Sequence, residues 1–224
     1  MGGSDLRQDI LDAIDFFFKK RTTGEYAARA GQHDKAFLIL IEKQLKELNY
    51  EVYIKGGHRI LPTNLLPAKS WDLVAYYNKK PVIAVEFKGM VGSNGKNSAN
   101  RVEECAGSAL NMRLEYGFQD ICLGYLFVLG NNEETQKPRK RRNKRVDQCW
   151  EGLSYAKRLE LAFTRLVDGR YYDAAAIIHV KPEPSYEDPV NQILHLSGFV
   201  ENLHKSAIEK GLVRESIATQ ATLL

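Results

Sequence analysis

Ile121 to Leu129 (ICLGYLFVL) is an unbroken apolar run. A segment of this length reads as a β-strand buried on both faces, because neither alternate set of its side chains is suited to water. A chain built around such a strand needs packed layers on both sides of a sheet, which makes α/β the expected class.

The other segments fit that frame. Leu6, Ile10, Ala13, Ile14, Phe17 and Phe18 recur at helical spacing and predict a helix over 5–21. A second helix is expected from an N-cap at Asp34 to Leu48, burying Phe37, Leu38, Ile41, Leu45 and Leu48. After a short strand at 50–54, the apolar runs LVAYY and VIAV lie within strands at 71–77 and 81–87, joined by the polar turn Asn78–Lys80. That is a hairpin signal. Residues 89–100 are rich in Gly, Ser and Asn and read as a loop, followed by a helix over 101–116 with Val102, Cys105, Ala106, Ala109 and Leu110 on one side. Helices at 153–167 and 190–210 and a strand at 174–180 complete the pattern. The expectation is a mixed central sheet with helices on both faces, in one domain over 1–224: N-terminal helices over 5–48, a catalytic core over about 49–130, a basic loop over about 130–148 and a C-terminal part over 150–224.

Composition narrows the class. With 44% hydrophobic and 27% charged residues the chain is neither fibrous nor disordered. No apolar run reaches the roughly 18 residues of a membrane helix, and the N-terminus has no cleavable signal pattern. The odd set Cys105, Cys122 and Cys149 holds no CxxC pair and reads as reduced thiols in a cytoplasmic protein. The five histidines show no zinc spacing. Net charge is +4, but Lys137–Arg145 (KPRKRRNKR) carries seven basic residues in nine, so the rest of the chain is at −3. A slightly acidic body with one concentrated positive segment suits a phosphate-contacting loop or a solvated surface loop.

The chemistry-bearing pattern is Asp72 at the start of the first hairpin strand and Glu86-Phe87-Lys88 at the end of the second. Strand alternation puts Glu86 and Lys88 on one face and Phe87 on the other. A hairpin returns the chain, so Asp72 meets them at one end of the sheet. Two converging carboxylates repel unless a cation lies between them, and hard oxygen ligands with room for water fit Mg2+. This arrangement suits phosphodiester hydrolysis, with metal-activated water and Lys88 holding or helping to deprotonate that water and offsetting charge at phosphorus. The Phe87 backbone carbonyl and Glu42, at the margin of its helix's apolar face, are further candidate ligands. An ExK pair on a strand is commonly just a solvated charge pair, but here the carboxylates flank apolar runs.

Lys69-Ser70-Trp71-Asp72-Leu73-Val74, Val85-Glu86-Phe87-Lys88, Gly92 with Asn100-Arg101-Val102-Glu103-Glu104, Gly124 to Leu129, Ser154 to Glu160 with Arg165-Leu166-Val167, and Tyr172-Asp173-Ala174-Ala175 together resemble the XhoI-type restriction endonucleases. The likeness is collinear from about Ala36 to Ile178. It implies a PD-(D/E)xK fold, Mg2+ dependence, a homodimer, cleavage of a palindromic site in double-stranded DNA (CTCGAG or a relative) and a partner methyltransferase. Trp71 stands where the wider superfamily has a proline, and Gly89-Met90 where the family tends to have Ser-Gln.

DNA contacts are expected from Lys96, Asn97, Asn100 and Arg101, since Asn pairs with adenine and Arg with guanine in the major groove. Asn100 as a helix cap and Arg101 as the opening of that helix is the plainer alternative. Arg139, Lys140, Arg141 and Arg142 are expected on phosphates. Glu103 and Glu104 suit a helix N-terminus, and Glu104 is a further candidate near the metal. Phe16-Phe17-Phe18 covers more than one helical face and is a candidate dimer surface. Two other functions share these residues: a structure-specific repair or recombination nuclease, and a non-catalytic DNA-binding protein of the same fold.

Overall fold

The protein's structure, a computed structural model, describes residues 5–22, 35–92, 94–139 and 147–214. In chain order the strands are β1 (Glu51–Tyr53), β2 (Ile60–Leu61), β3 (Lys69–Ser70), β4 (Leu73–Tyr77), β5 (Lys80–Met90), β6 (Cys122–Gly130), β7 (Ala174–Lys181) and β8 (Ser185–Glu187). Six of them form the central sheet in the order β1-β4-β5-β6-β7-β8, while β2 and β3 pair with each other. The β5-β6 and β6-β7 pairs are parallel; β1-β4, β4-β5 and β7-β8 are antiparallel. The expected mixed sheet is therefore present, with β2, β3 and β8 as short strands too brief to carry a periodic signal.

The helices are α1 (Leu6–Thr22), α2 (Lys35–Glu47), α3 (Asn94–Tyr116), α4 (Glu133–Gln136), α5 (Tyr155–Asp168) and α6 (Phe199–Glu209). Strand alternation divides the core between the two faces. Leu73, Ile83, Val85, Phe87, Leu126, Val128, Ala176 and Ile178 face one layer, with Phe17 of α1, Phe37 and Ile41 of α2 and Phe199 and Leu203 of α6. Val74, Ala84, Tyr125, Phe127, Ala175 and Ile177 face the other, with Cys105, Ala109 and Met112 of α3 and Leu159 and Phe163 of α5. Every residue of β6 is buried, as the unbroken apolar run requires. At Gly124 a Cβ would lie 2.8 Å from the Phe199 ring, so only glycine lets α6 approach so closely.

The hairpin turns through Asn78 (φ 49°) and Lys79 (φ 64°), the left-handed pair that a two-residue hairpin turn demands. Helix α5 opens on Ser154, whose hydroxyl accepts from Lys157 N–H at 3.2 Å, and the next residue after the helix is Gly169.

Several expectations are corrected. Strand β5 runs on to Met90 and α3 begins at Asn94, so most of the supposed loop at 89–100 is regular structure. The packed side of α3 overrides the poor helix propensity of its Gly, Ser and Asn residues. Leu110 is 44% exposed, and Met112 takes the inward place instead. Within the supposed basic loop, Asn132 and Thr135 form a reciprocal capping box that starts α4. The last helix starts at Phe199; before it, two 3-10 turns bury Leu194 and Leu196, apolar residues that helix continuity would otherwise absorb. Phe17 is fully buried, its ring edge-on to Phe37 and Phe87, and Phe18 packs against the same core, so much of this aromatic run serves the interior.

Among the described residues no helix is long and apolar enough to cross a membrane.

Candidate active site

Antiparallel pairing sets Leu73 opposite Val85. One residue earlier, Asp72 therefore stands beside Glu86, and its N–H donates to the Val85 carbonyl at 3.2 Å. The Asp72 carboxylate accepts from the Phe87 N–H at 2.8 Å, which fixes it against β5. Glu86 is 4% exposed, and Lys88 Nζ meets its Oε1 at 2.9 Å. Phe87 turns to the opposite layer, stacked on Phe37. The structure thus brings Asp72, Glu86 and Lys88 to one end of the sheet.

Lys69 joins them, a residue that the sequence pattern does not single out. Its Nζ lies 3.2 Å from Glu86 Oε2 and 5.1 Å over the Trp71 ring. Nothing periodic marks it, because β3 is a two-residue strand positioned by its pairing with Ile60 and Leu61. Its only sequence signal is its place in the block that also holds Asp72.

The electrostatics follow from crowding. Burial pushes the Asp72 carboxyl above its ordinary range; the Phe87 N–H and Lys88 act against this, and Glu86 adds to it. Burial also opposes ionisation of Glu86, but Lys88 and Lys69 outweigh it and hold this carboxyl below the usual range. For Lys88, burial works against the ammonium, yet Glu86 prevails and raises its pKa. Lys88 is therefore a positive charge here and not a free base. Behind Glu86, its β6 neighbour in register is Tyr125. Burial first, and Glu86 among the neighbouring charges, keep the Tyr125 phenol and the Cys105 thiol protonated.

A divalent cation fits this donor set. Glu86 Oε2 is buried without a hydrogen-bond donor although an ammonium stands 3.2 Å away. Asp72 and Glu86 are hard oxygen donors converging at one end of the sheet, and Mg2+ characteristically takes one or two carboxylates and keeps waters. Among the described residues no cluster of three or more His, Cys, Asp or Glu forms a closed metal cage.

The remaining candidates are placed as follows. Glu42 sits on α2, the helix packed on the Phe87 side of the sheet, and its carboxylate pairs with Lys46 at 2.7 Å. It is not brought to Asp72 and Glu86. Asn97, Asn100 and Arg101 lie in the first two turns of α3, which follows β5 at the site's end of the sheet. Asn100 is therefore inside the helix and caps nothing, and Glu103 and Glu104 are not at its N-terminus. Lys96 is also in the first turn, but its side chain lies outside the described residues. Arg101 pairs with Glu104 at 2.9 Å, and the Glu104 charge is felt by Lys88. Arg139 lies 4.2 Å over the Tyr155 ring. Lys140, Arg141 and Arg142 fall outside the described residues. The described start of the basic segment, residues 137–139, lies just beyond α4, which follows the end of β6, where Leu129 pairs with Met90.

A second buried cluster lies at the start of β6 and β7. Arg113 is 2.8 Å from Asp173 and also donates to the carbonyls of Ile121 (2.9 Å) and Tyr171 (3.1 Å). Asp173 further accepts from Leu123 N–H at 2.7 Å and pairs with Lys210. Every charge here has a partner, as expected for a structural joint.

Comparisons of the sequence with known proteins find restriction enzymes. Type II restriction enzyme BstVI of Geobacillus stearothermophilus is 29% identical over 223 residues, covering 88% of this chain and 97% of that protein. Type II restriction enzyme XhoI of Xanthomonas vasicola is 40% identical over 84 residues, 35% of this chain and 34% of that protein. Type II restriction enzyme AbrI of Azospirillum brasilense is 39% identical over 67 residues, 30% of each chain. No solved structure matches significantly. The sequence model described as Restriction endonuclease XhoI matches residues 20–190, more than half of the chain and the whole of the Asp72/Glu86/Lys88 site. The chain belongs to the XhoI restriction endonuclease family.

Proposed function

We propose that this protein is a Type II restriction endonuclease that cuts double-stranded DNA at a short palindromic site, CTCGAG or a relative, as a Mg2+-dependent homodimer. It acts in the cytoplasm as one nuclease domain, alongside a methyltransferase that protects the host's copies of the site. The observation that carries this reading is the convergence of Asp72 and Glu86, through the β4–β5 register, on the face that also bears Lys88.

In this reading Asp72 and Glu86 hold the cation, with the Phe87 carbonyl as a further ligand. Bound there, Mg2+ supplies Lewis-acid stabilisation of the scissile phosphate and a water of lowered pKa. The chain's own residues do the rest. The Phe87 N–H orients Asp72. Lys88, held as an ammonium by Glu86, orients the attacking water by donating to it and offsets the negative charge that grows on phosphorus. Asn97, Asn100 and Arg101 on α3 approach bases or phosphates, and Arg139 to Arg142 contact phosphates. Reading a palindrome and cutting both strands requires two active sites related by two-fold symmetry.

Digestion of unmethylated phage DNA tests the reading. With Mg2+ a discrete ladder is expected, and its fragment ends give the site. Cutting confined to branched substrates would replace restriction with repair, and binding without cleavage would leave a DNA-binding protein.

A further inference from the structure

The ExK spacing accounts for one of the two ammonium groups on Glu86. Lys88 hydrogen-bonds Oε1, but Lys69 is on another strand and stands at Oε2, the oxygen that has no hydrogen-bond donor. We propose that Lys69 is a stand-in for the metal: its ammonium neutralises Oε2 of Glu86 until a divalent cation displaces it, so that DNA-free protein binds metal weakly. The inference rests on Asp72 and Glu86 being the metal ligands.

Three observations support it. The first is placement. Pairing of Lys69 with Leu61 fixes its backbone, and its ammonium lies over the ring of Trp71, which is fully buried. The second is fit. At 3.2 Å and without an aligned hydrogen bond, the ammonium balances the charge of Oε2 but does not satisfy its lone pairs, which leaves that oxygen better suited to a metal ion. The third is charge. Asp72 and Glu86 against Lys69 and Lys88 sum to zero, so the site is already neutral. A dication entering it meets no net attraction unless an ammonium withdraws, and the Lys69 stem is flexible enough to do so. After withdrawal the site carries surplus positive charge, which favours the arrival of a DNA phosphate. Lys69 is thus a positioning residue that acts through Glu86 and ties metal capture to substrate.

The test is Mn2+ titration calorimetry on DNA-free protein, comparing wild type with Lys69→Gln, Lys69→Arg and Glu86→Gln, each checked for folding by circular dichroism. Removing a charge-assisted interaction that competes with the metal should tighten Mn2+ binding by about tenfold or more in Lys69→Gln. Lys69→Arg, which keeps the charge, should bind like wild type. If Lys69→Gln does not fold, Lys69→Met gives the same readout. Equal or weaker Mn2+ binding after charge removal, including no binding in either protein, overturns the stand-in role. Loss of binding in Glu86→Gln with no gain in Lys69→Gln would overturn that role alone. Unchanged binding in Glu86→Gln would overturn the metal-ligand reading beneath it.

Discussion

Replacing Asp173 with alanine separates the two buried charge clusters, because the structure gives them opposite jobs. Asp173 neutralises Arg113, whose side chain is only 2% exposed, and Lys210, at 12%. Removing the carboxylate leaves Arg113 held only by the carbonyls of Ile121, Tyr171 and Gly117. Breaking a buried ion pair by deleting one partner costs about 3–5 kcal/mol. The orphaned Leu123 N–H adds to this. A chain of this size loses about 2–4 °C per kcal/mol, so the melting temperature should fall by roughly 6–20 °C. Urea and thermal unfolding of the DNA-free protein measure both quantities. Lys210→Met should cost less, about 1–2 kcal/mol, because Arg113 and Leu123 N–H still hold the aspartate. Below its transition, folded Asp173→Ala should cut DNA at the wild-type rate. A loss of stability under about 1 kcal/mol, or a loss of cleavage at full stability, would refute the assignment of this cluster as a joint.

Further predictions follow from other parts of the molecule. Gly124→Ala forces a Cβ to within 2.8 Å of Phe199 and 3.1 Å of Leu203, and should lower stability by about 1–3 kcal/mol in urea unfolding. Glu160 is buried, which raises its pKa, but His179 at 3.2 Å and Lys157 at 2.8 Å outweigh burial and hold it below the usual carboxylate range. Its folded pKa is depressed, so its contribution is fully present above the unfolded pKa of about 4.3 and is lost as pH falls through the folded value. Unfolding free energy measured from pH 7 to 3 should therefore decline less steeply in Glu160→Gln. Replacing Arg139, Lys140, Arg141 and Arg142 with alanine should weaken DNA binding for all sequences alike. In fluorescence anisotropy with Ca2+, the slope of log K against log salt should fall by about 0.9 for each phosphate that the variant no longer neutralises.

How far the sequence reveals the site depends on how local the geometry is. Glu86, Phe87 and Lys88 are legible because strand alternation alone sends Phe87 to the Phe37 layer and the other two to the opposite face. Asp72 is legible because a hairpin must bring its two outer ends together. Lys69 is not, since its place depends on β3 pairing with β2 across an irregular loop. The start of α3 is hidden by composition: Asn, Gly and Ser are poor helix formers, and the packing of Cys105, Ala109 and Met112 further along decides the matter. The last helix reads as too long because Leu194 and Leu196 bury themselves from 3-10 turns. Glu42 does belong to the α2 helix that its apolar stripe predicts, but nothing local says that this helix covers the Phe87 side of the sheet.

If Asp72, Glu86 and Lys88 form a metal-dependent phosphodiesterase site, cleavage requires all three side chains and a divalent cation. The most direct measurement is conversion of supercoiled unmethylated DNA by wild type, Asp72→Asn, Glu86→Gln and Lys88→Met, each with Mg2+ and with EDTA. Wild type should linearise the DNA rapidly in Mg2+ only, and each variant that remains folded should be slower by at least about 100-fold. Cleavage by wild type in EDTA, or a folded Glu86→Gln protein that cuts at the wild-type rate, would rule out a metal-dependent site at these residues.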